Sequence, residues 1–444
     1  MLILSLVASL ALQNATETPL PRRGTLMIGL APTAEGELAA AVFPDGSPAR
    51  EAGMQAGDVL LAVDGHPVSN PVEFQIAFAG LPTDRDIDVS IRRNGEARNL
   101  SIRAVPRPEE TIAGFRAEYS HVALANGDRV RTITLWPNDR RLETASGLPG
   151  VFYIYGIPCQ SLDGLSNPGG SVNPLFRSLL EAGFAVSFAD KPGIGDSEGE
   201  SCITGGFDRE VEAFSNAAAA FAAHPGIDAE RLYGIGVSMG GFQIPLIADS
   251  TGFDGLITLG TGFQPWFDYM ITNFRWRYQL EGLEADEMEQ VLRLFRLVWA
   301  ELLVMEKSAA QLREERPEAV AAFEARFGPL EAAFGRSVRF MQELDNAELW
   351  PAWADYSGAL LAVHGEYDWV ATETDHRMLA HVVAAQTERP VSFEILPGVD
   401  HVGTRHGTLA ESFANRFNGE PDASFNALAV SWLTDLASPG EEAQ

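Results

Sequence analysis

Positive charge is scarce in this sequence. Across 444 residues, 32 Lys and Arg face 61 Asp and Glu, a formal net charge of −29, and Lys191 and Lys307 are the only lysines. A nucleic-acid partner must be met by a basic face that replaces counterions, so no nucleic acid is expected as a ligand. Cysteine is scarcer still. Cys159 and Cys202 are the only two, and with none before Cys159 a lipid cannot be attached to a signal-peptide cysteine. No His/Cys/Asp set has the spacing of metal ligands, and no Gly-rich nucleotide loop follows a strand pattern, so neither metal nor cofactor is expected. Long apolar runs are missing too. The opening MLILSLVASLALQNATETP is shorter in its apolar part than the roughly 20 residues of a membrane span. It reads as the core of a secretory signal over residues 1–20, although the charged start is missing apart from the amino terminus. A buried N-terminal strand or a plain anchor are the other readings. Removal of the signal leaves no integral span, which puts the protein in the periplasm or outside the cell.

What remains is ordinary globular material, 46% hydrophobic and 21% charged, long enough for two or three folding units. From Gly24 to about Pro106 the chain reads as short strands and turns. Phe115–Asp139 gives two strands joined at Asn126-Gly127-Asp128. From Gly150 on, apolar strands alternate with helical patterns, which implies a parallel sheet covered by helices on both faces. Strand candidates are Val151–Gly156, Phe184–Asp190, Arg231–Ser238, Gly255–Gly260, Ala359–Gly365 and Val391–Leu396. An acidic, helix-forming stretch, residues 263–353, separates the fourth from the fifth.

SPAREAGMQAGDVLLAVDGHPV (Ser47–Val68) holds a Pro-Ala-x-x-Ala-Gly-Met helix turn, then Ala-Gly-Asp, then a strand closed by Asp64-Gly65. In that order these elements resemble a PDZ domain of the circularly permuted kind found in bacterial envelope proteases, over residues 24–106. The resemblance implies strand addition of a peptide at a sheet edge, with its C-terminal carboxylate on backbone N–H groups. The matching loop would be Met27-Ile28-Gly29-Leu30 and the groove helix Pro71–Leu81. A fold kept only for docking or as a lid is the plainer reading.

Two pentapeptides fit Gly-x-Ser-x-Gly, GDSEG at Gly195–Gly199 and GVSMG at Gly236–Gly240. A nucleophile elbow needs a buried strand running into the turn and a helix leaving it, with small residues two before and two after the serine. Ser238, in RLYGIGVSMGGFQIPLIA, has all of these. Ser197 sits among Pro192, Gly193 and Gly195, and charged Asp196 and Glu198 fit a solvated loop. Taken with the strand order, residues 112–438 resemble an α/β-hydrolase, in which KPGIGDSEG is similar to the loop after the fourth strand. The implied architecture is α/β: a doubly wound, mostly parallel sheet with a helical lid insertion at 263–353, preceded by a small α+β PDZ domain.

A serine hydroxyl becomes a nucleophile only when a histidine takes its proton and a carboxylate orients that histidine. In this fold the chain order is serine, acid, histidine. HGEYDWV after the fifth strand places Asp368 as the acid, and LPGVDHVGTRH after the sixth places His401 as the base, with His406 as its substitute. The other acid position, TLGTGFQPW, offers no carboxylate near the strand end. His376 and His381 read as surface positions, and His364 as a satisfied core or supporting residue. The oxyanion needs two fixed N–H donors. Met239 supplies one and Ile157, in YGIPCQS, the other, although Tyr155 stands where many relatives have histidine.

The fold resemblance also puts the loops holding Cys159 and Cys202 side by side at the carboxyl edge of the sheet, which implies a disulfide between them. Trp266, Phe267, Tyr269, Phe274 and Trp276 read either as an acyl pocket or as the core of the lid itself. The function expected is hydrolysis of a carboxylic ester or thioester through an acyl-enzyme, with a small-molecule ester or peptide as substrate and a C-terminal peptide as ligand of the PDZ domain. A peptidase acting on short peptides or acyl-aminoacyl bonds is the alternative. A non-catalytic PDZ adaptor with a degenerate hydrolase is the alternative from another class.

Overall fold

The computed structural model describes residues 19–438 apart from 35, 69–70, 79, 108, 110–113, 139–146 and 163–172. The expected signal therefore lies outside the described residues except for Pro19 and Leu20. The N-terminal part begins with β1 (Gly24–Thr25), β2 (Gly29–Pro32), β3 (Leu38–Val42), α1 (Pro48–Glu51) and β4 (Val59–Val63). It continues with β5 (His66–Pro67), α2 (Pro71–Phe78), β6 (Asp86–Arg93), β7 (Glu96–Arg103) and β8 (Val105–Pro106). Its sheet runs β2-β3-β4-β6-β7, with β5 beside β4, so β2 is an edge strand. Asp64 and Gly65, both at positive φ, turn β4 into β5, as an Asp-Gly pair does in a two-residue hairpin. Leu26, Leu60, Val63, Ile87 and Ile91 fill a core of their own, and β1 pairs with β8 to close the unit. This is a PDZ domain.

The rest is built on eight strands. They are β9 (Phe115–Ala123), β10 (Arg129–Pro137), β11 (Leu148–Ile154), β12 (Ala185–Ala189), β13 (Ile227–Val237), β14 (Gly255–Leu259), β15 (Ala359–Gly365) and β16 (Val391–Leu396). Their order is β16-β15-β14-β13-β11-β12-β10-β9. β9 and β10 form the antiparallel hairpin expected at Asn126-Gly127, and every pair from β12 to β16 is parallel. β12, β14 and β15 are buried at every residue, because helices cover both faces of the sheet. On one face lie α4 (Phe207–Ala222), α5 (Met239–Thr251) and α12 (Glu373–Ala384), through Phe214, Ile244 and Leu379. On the other lie α3 (Asn173–Glu181) and α13 (Ser424–Ala437), through Leu179, Phe425 and Leu433.

Between β14 and β15 the chain makes the helical layer: α6 (Trp266–Leu280), α7 (Ala285–Trp299), a π-helical turn (Ala300–Val304), α8 (Ala309–Glu315), α9 (Pro317–Phe327), α10 (Val338–Asp345) and α11 (Leu349–Asp355). Trp266, Tyr269 and Phe274 are buried there with Phe295, Trp299 and Phe323, and with Met239 and Phe242 beneath them. Most of the aromatic run is thus lid core, with Phe267 at its margin, whereas Trp276 is among the exposed hydrophobics.

Candidate active site

Ser238 occupies the turn between β13 and α5 with φ 54° and ψ −119°, a strained conformation for a residue carrying a side chain. Direct contact dictates the small neighbours. A Cβ on Gly236 would lie 2.6 Å from the carbonyl oxygen of Gly240, and one on Gly240 would run into the carbonyl of Ile154. In GDSEG the glycines are crowded too, a Cβ on Gly199 lying 2.7 Å from Asp128 Oδ2, but Ser197 lacks the positive φ and the strand-to-helix turn, and the segment is not the solvated loop the sequence suggested. Ser197 and Asp196 are buried. The Ser197 hydroxyl accepts from the Arg131 amide at 2.9 Å, and Asp196 pairs with Arg131 at 3.2 Å and with Arg22 at 2.5 Å. The physical reason is charge matching: the buried Arg131 guanidinium needs carboxylates, and Asp190 and Asp196 supply them. Of the charged pair only Glu198 stays half exposed.

Three loops at the carboxyl edge of the sheet bring the sequence-expected residues together. His401, from the loop after β16, places Nε2 2.9 Å from Ser238 Oγ and Nδ1 2.8 Å from Asp368 Oδ2. Asp368, after β15, accepts on Oδ1 from the amides of Val370 at 2.7 Å and Ala371 at 2.9 Å. Burial would raise the Asp368 pKa, but the charge and hydrogen bond of His401, with help from His364 and the Ala371 amide, hold it below the usual carboxylate range. For His401 burial pulls the pKa down, yet the Asp368 carboxylate beside it raises it above the ordinary imidazole value. Gly260 closes the alternative acid position. Its φ is +62°, and a Cβ there would come 2.7 Å from His401 Nδ1.

The other histidines sort differently from expectation. His406 is buried against Asp400 at 3.1 Å and Thr404 at 3.1 Å, away from the relay. His381 is exposed, as expected. His376 is fully buried rather than at the surface. Its Nδ1 donates to the Thr372 carbonyl at 2.8 Å and its Nε2 accepts from the Thr261 amide at 3.1 Å, which ties α12 to the strand end of β14. Burial lowers its pKa to about 4. His364 is buried with its ring 5.0 Å from that of His376 and acts on Asp368 as a supporting residue would, but its Nδ1 has no partner among the described residues, so it is not a satisfied core residue.

A cluster that the sequence reading passed over holds the loop after β11. Lys191 Nζ donates to the carbonyls of Gly156 at 2.6 Å, Ile157 at 3.2 Å and Pro158 at 3.3 Å. Arg336, from the lid, donates to the Ile157 carbonyl at 3.0 Å. Glu210 on α4 lies 3.7 Å from Lys191, pairs with Arg336 and accepts from Gln243 at 2.9 Å. In a planar trans peptide the C=O and N–H point opposite ways. With the Gly156 carbonyl turned to Lys191, the Ile157 N–H is therefore turned away from it. Gly156 also passes close to Ser238: a Cβ on it would be 3.3 Å from the Ser238 Cβ. Burial lowers the Lys191 pKa to about 7 despite Glu210. Cys159 is joined to Cys202 by a disulfide, with Cα atoms 5.7 Å apart, which ties the same loop to the one after β12. Lys191 carried a signal, being one of only two lysines in an arginine-rich chain. Glu210 and Arg336 carried none, since their pairing spans 126 residues.

The PDZ residues Met27, Ile28, Gly29 and Leu30 run from β1 into the edge strand β2, with Met27 at φ 50° and its amide donating to Thr25 Oγ1 at 3.1 Å. Among the described residues no group of three or more His, Cys, Asp or Glu is placed to hold a metal ion.

Comparison with known proteins agrees with this architecture. A family profile described as serine aminopeptidase, S33, matches residues 160–405, more than half of the chain, and a PDZ-domain profile matches residues 45–93. The magnetosome formation protease MamE of Magnetospirillum gryphiswaldense is 36% identical over 118 residues, 26% of this chain and 15% of that protein. A probable periplasmic serine endoprotease, DegP-like, of Marinomonas sp. is 29% identical over 95 residues, 21% of this chain and 20% of that protein. The chain thus matches only a minor part of the length of these curated relatives. Among solved structures, acetyl xylan esterase 1 from Thermoanaerobacterium sp. JW/SL YS485 is 16% identical, with a TM-score of 0.43, over 75% of this chain and 87% of that one. A prolyl endopeptidase structure is 14% identical, with a TM-score of 0.41, over 80% of this chain and 42% of that one.

Proposed function

The chain belongs to the S33 serine aminopeptidase family of hydrolases, and from that premise we propose that it cleaves carboxylic esters or thioesters through a triad of Ser238, His401 and Asp368. The observation that carries the reading is the unbroken pair of contacts, 2.9 Å from Ser238 to His401 and 2.8 Å from His401 to Asp368, made by residues 163 and 33 positions apart in the chain. Ser238 Oγ attacks the carbonyl carbon as its proton passes to His401 Nε2. Asp368 keeps the ring in the tautomer whose Nδ1 carries hydrogen, and stabilises the imidazolium. The oxyanion takes the N–H groups of Met239 and Ile157, the second of which Lys191 and Arg336 hold in place through the carbonyls around it. His401 then returns the proton to the leaving oxygen of an ester, or sulfur of a thioester, and water repeats the sequence on the acyl-enzyme.

The family description favours a second reading, cleavage of short peptides or acyl-aminoacyl bonds. A panel of p-nitrophenyl esters of graded length against aminoacyl-p-nitroanilides separates the two. Ester turnover well above anilide turnover is expected. The reverse order would establish the peptidase, and no turnover of either would favour the non-catalytic adaptor.

A C-terminal peptide is the proposed PDZ ligand, added beside the open edge of β2 with its carboxylate on the Met27–Leu30 backbone. The proposed location is the periplasm. Supporting it are the disulfide, which persists in oxidising compartments, and a relative named as a periplasmic endoprotease.

A further inference from the structure

A cavity of about 220 Å³ opens inside the helical layer. Its walls are aromatic, with Phe274, Phe295, Trp299 and Phe327 among them, and Arg277 stands at one side. Trp299 is the last residue before the π-helical turn, a break in helix register of the sort that concentrates at functional sites.

The chemistry at Arg277 is unusual for this chain. Carboxylates outnumber cations by almost two to one, yet Arg277 makes no hydrogen bond or ion pair among the described residues, and its buried Nε has no acceptor. The carboxylate nearest in the cavity wall, Glu281, is taken by Arg326 at 3.3 Å. The guanidinium of Arg277 lies 5.5 Å from the ring centre of Trp369, and that of Arg416 lies 5.2 Å from the same ring. Trp369 is itself almost fully buried, and its Nε1 is a second donor without an acceptor. Arg277 is half-buried in the cavity wall, and its terminal nitrogens, without an acceptor among the described residues, can meet a ligand carboxylate in a charge-assisted hydrogen bond. Burial, and then the neighbouring Arg416, lower the Arg277 pKa, against a smaller opposing pull from Glu281.

Arg277 links the cavity wall to the reaction centre through Trp369, which stands outside the wall itself. Trp369 follows the acid Asp368 directly. Phe417 stacks on Trp369 at 4.7 Å and stands 6.2 Å from the His401 ring. Arg416 is the left-handed C-cap of the helix Leu409–Asn415, at φ 50°, and Phe417 follows at φ 71°.

We propose that this lid cavity is a specificity site for substrates with an apolar or aromatic body ending in a carboxylate, which takes hydrogen bonds from Arg277. The proposal rests on the serine-hydrolase reading for its link to turnover, but not for binding. Calorimetry with the full-length Ser238→Ala protein should therefore show 4-phenylbutyrate binding ~10-fold or more tightly than 4-phenyl-1-butanol, as a charge-assisted hydrogen bond demands. Arg277→Gln should abolish that preference and Arg277→Lys should keep part of it, with thermal melting reporting that each variant is folded. In the wild-type protein, 4-phenylbutyrate should compete with a neutral p-nitrophenyl ester. Equal affinity for acid and alcohol, or a preference that survives in folded Arg277→Gln, would overturn the site. Carboxylate binding without competition would overturn its place on the substrate path. Absence of ester turnover together with Arg277-dependent binding would instead count against the serine reading alone.

Discussion

His401 sits under opposing pulls, burial towards the neutral ring and Asp368 towards the imidazolium, and the carboxylate wins. A base must be neutral to accept a proton, so ester kcat/KM should fall as pH drops through a midpoint above about 6.5, the ordinary imidazole value. In Asp368→Asn the lowering by burial remains while the raising charge is gone. The midpoint should move down and the rate should fall by roughly 10⁴. An acid limb that stays in place in Asp368→Asn would show that another group titrates. The meeting of Ser238, Asp368 and His401 was legible in the sequence because each follows a strand whose end brings it to the same edge of the sheet. The environments of Asp196, His364 and His376 were not. Whether a polar side chain is buried depends on what packs over it, and here the covering parts come from Arg131, Thr261 and Thr372, which no local pattern connects.

At the scale of elements, the loop after β11 is fastened twice, by the Cys159–Cys202 disulfide and by Lys191 and Arg336 on its carbonyls. The two fastenings act differently. The crosslink closes a loop of 43 residues and restricts the unfolded chain, worth about 2–4 kcal/mol. The cations fix peptide orientation in the folded state. The double variant Cys159→Ser, Cys202→Ser should therefore lose stability of that order in urea unfolding while kcat stays within about tenfold of wild type, less than the 10²–10³ that loss of an oxyanion donor costs. A kcat loss of that larger size with little change in stability would show that the disulfide sets the donor. Parallel strands were readable as apolar runs bounded by turns, and the Asn126-Gly127 and Asp64-Gly65 hairpins from turn chemistry. The aromatic run was ambiguous, because core and pocket use the same residues. The register break at Ala300–Val304 that places Trp299 beside the cavity has no sequence mark of its own.

Across the whole molecule, a PDZ domain and a hydrolase meet through the segment before β1. Arg22 pairs with Asp196, and the Arg23 amide donates to the same carboxylate at 2.7 Å. The decoy motif GDSEG is therefore the seat of the junction between the two parts. Its order along the chain was legible from composition, but the junction was not, since it joins residues 173 and more positions apart. One chain thus carries two Gly-x-Ser-x-Gly serines in opposite circumstances, one strained and aimed at a histidine, the other spent on a backbone amide. Labelling of the full-length protein by a fluorophosphonate probe tests the central claim most directly. Wild type and Ser197→Ala should be labelled and Ser238→Ala should not, with ester turnover following the label. Labelling of Ser238→Ala equal to that of wild type would contradict the account.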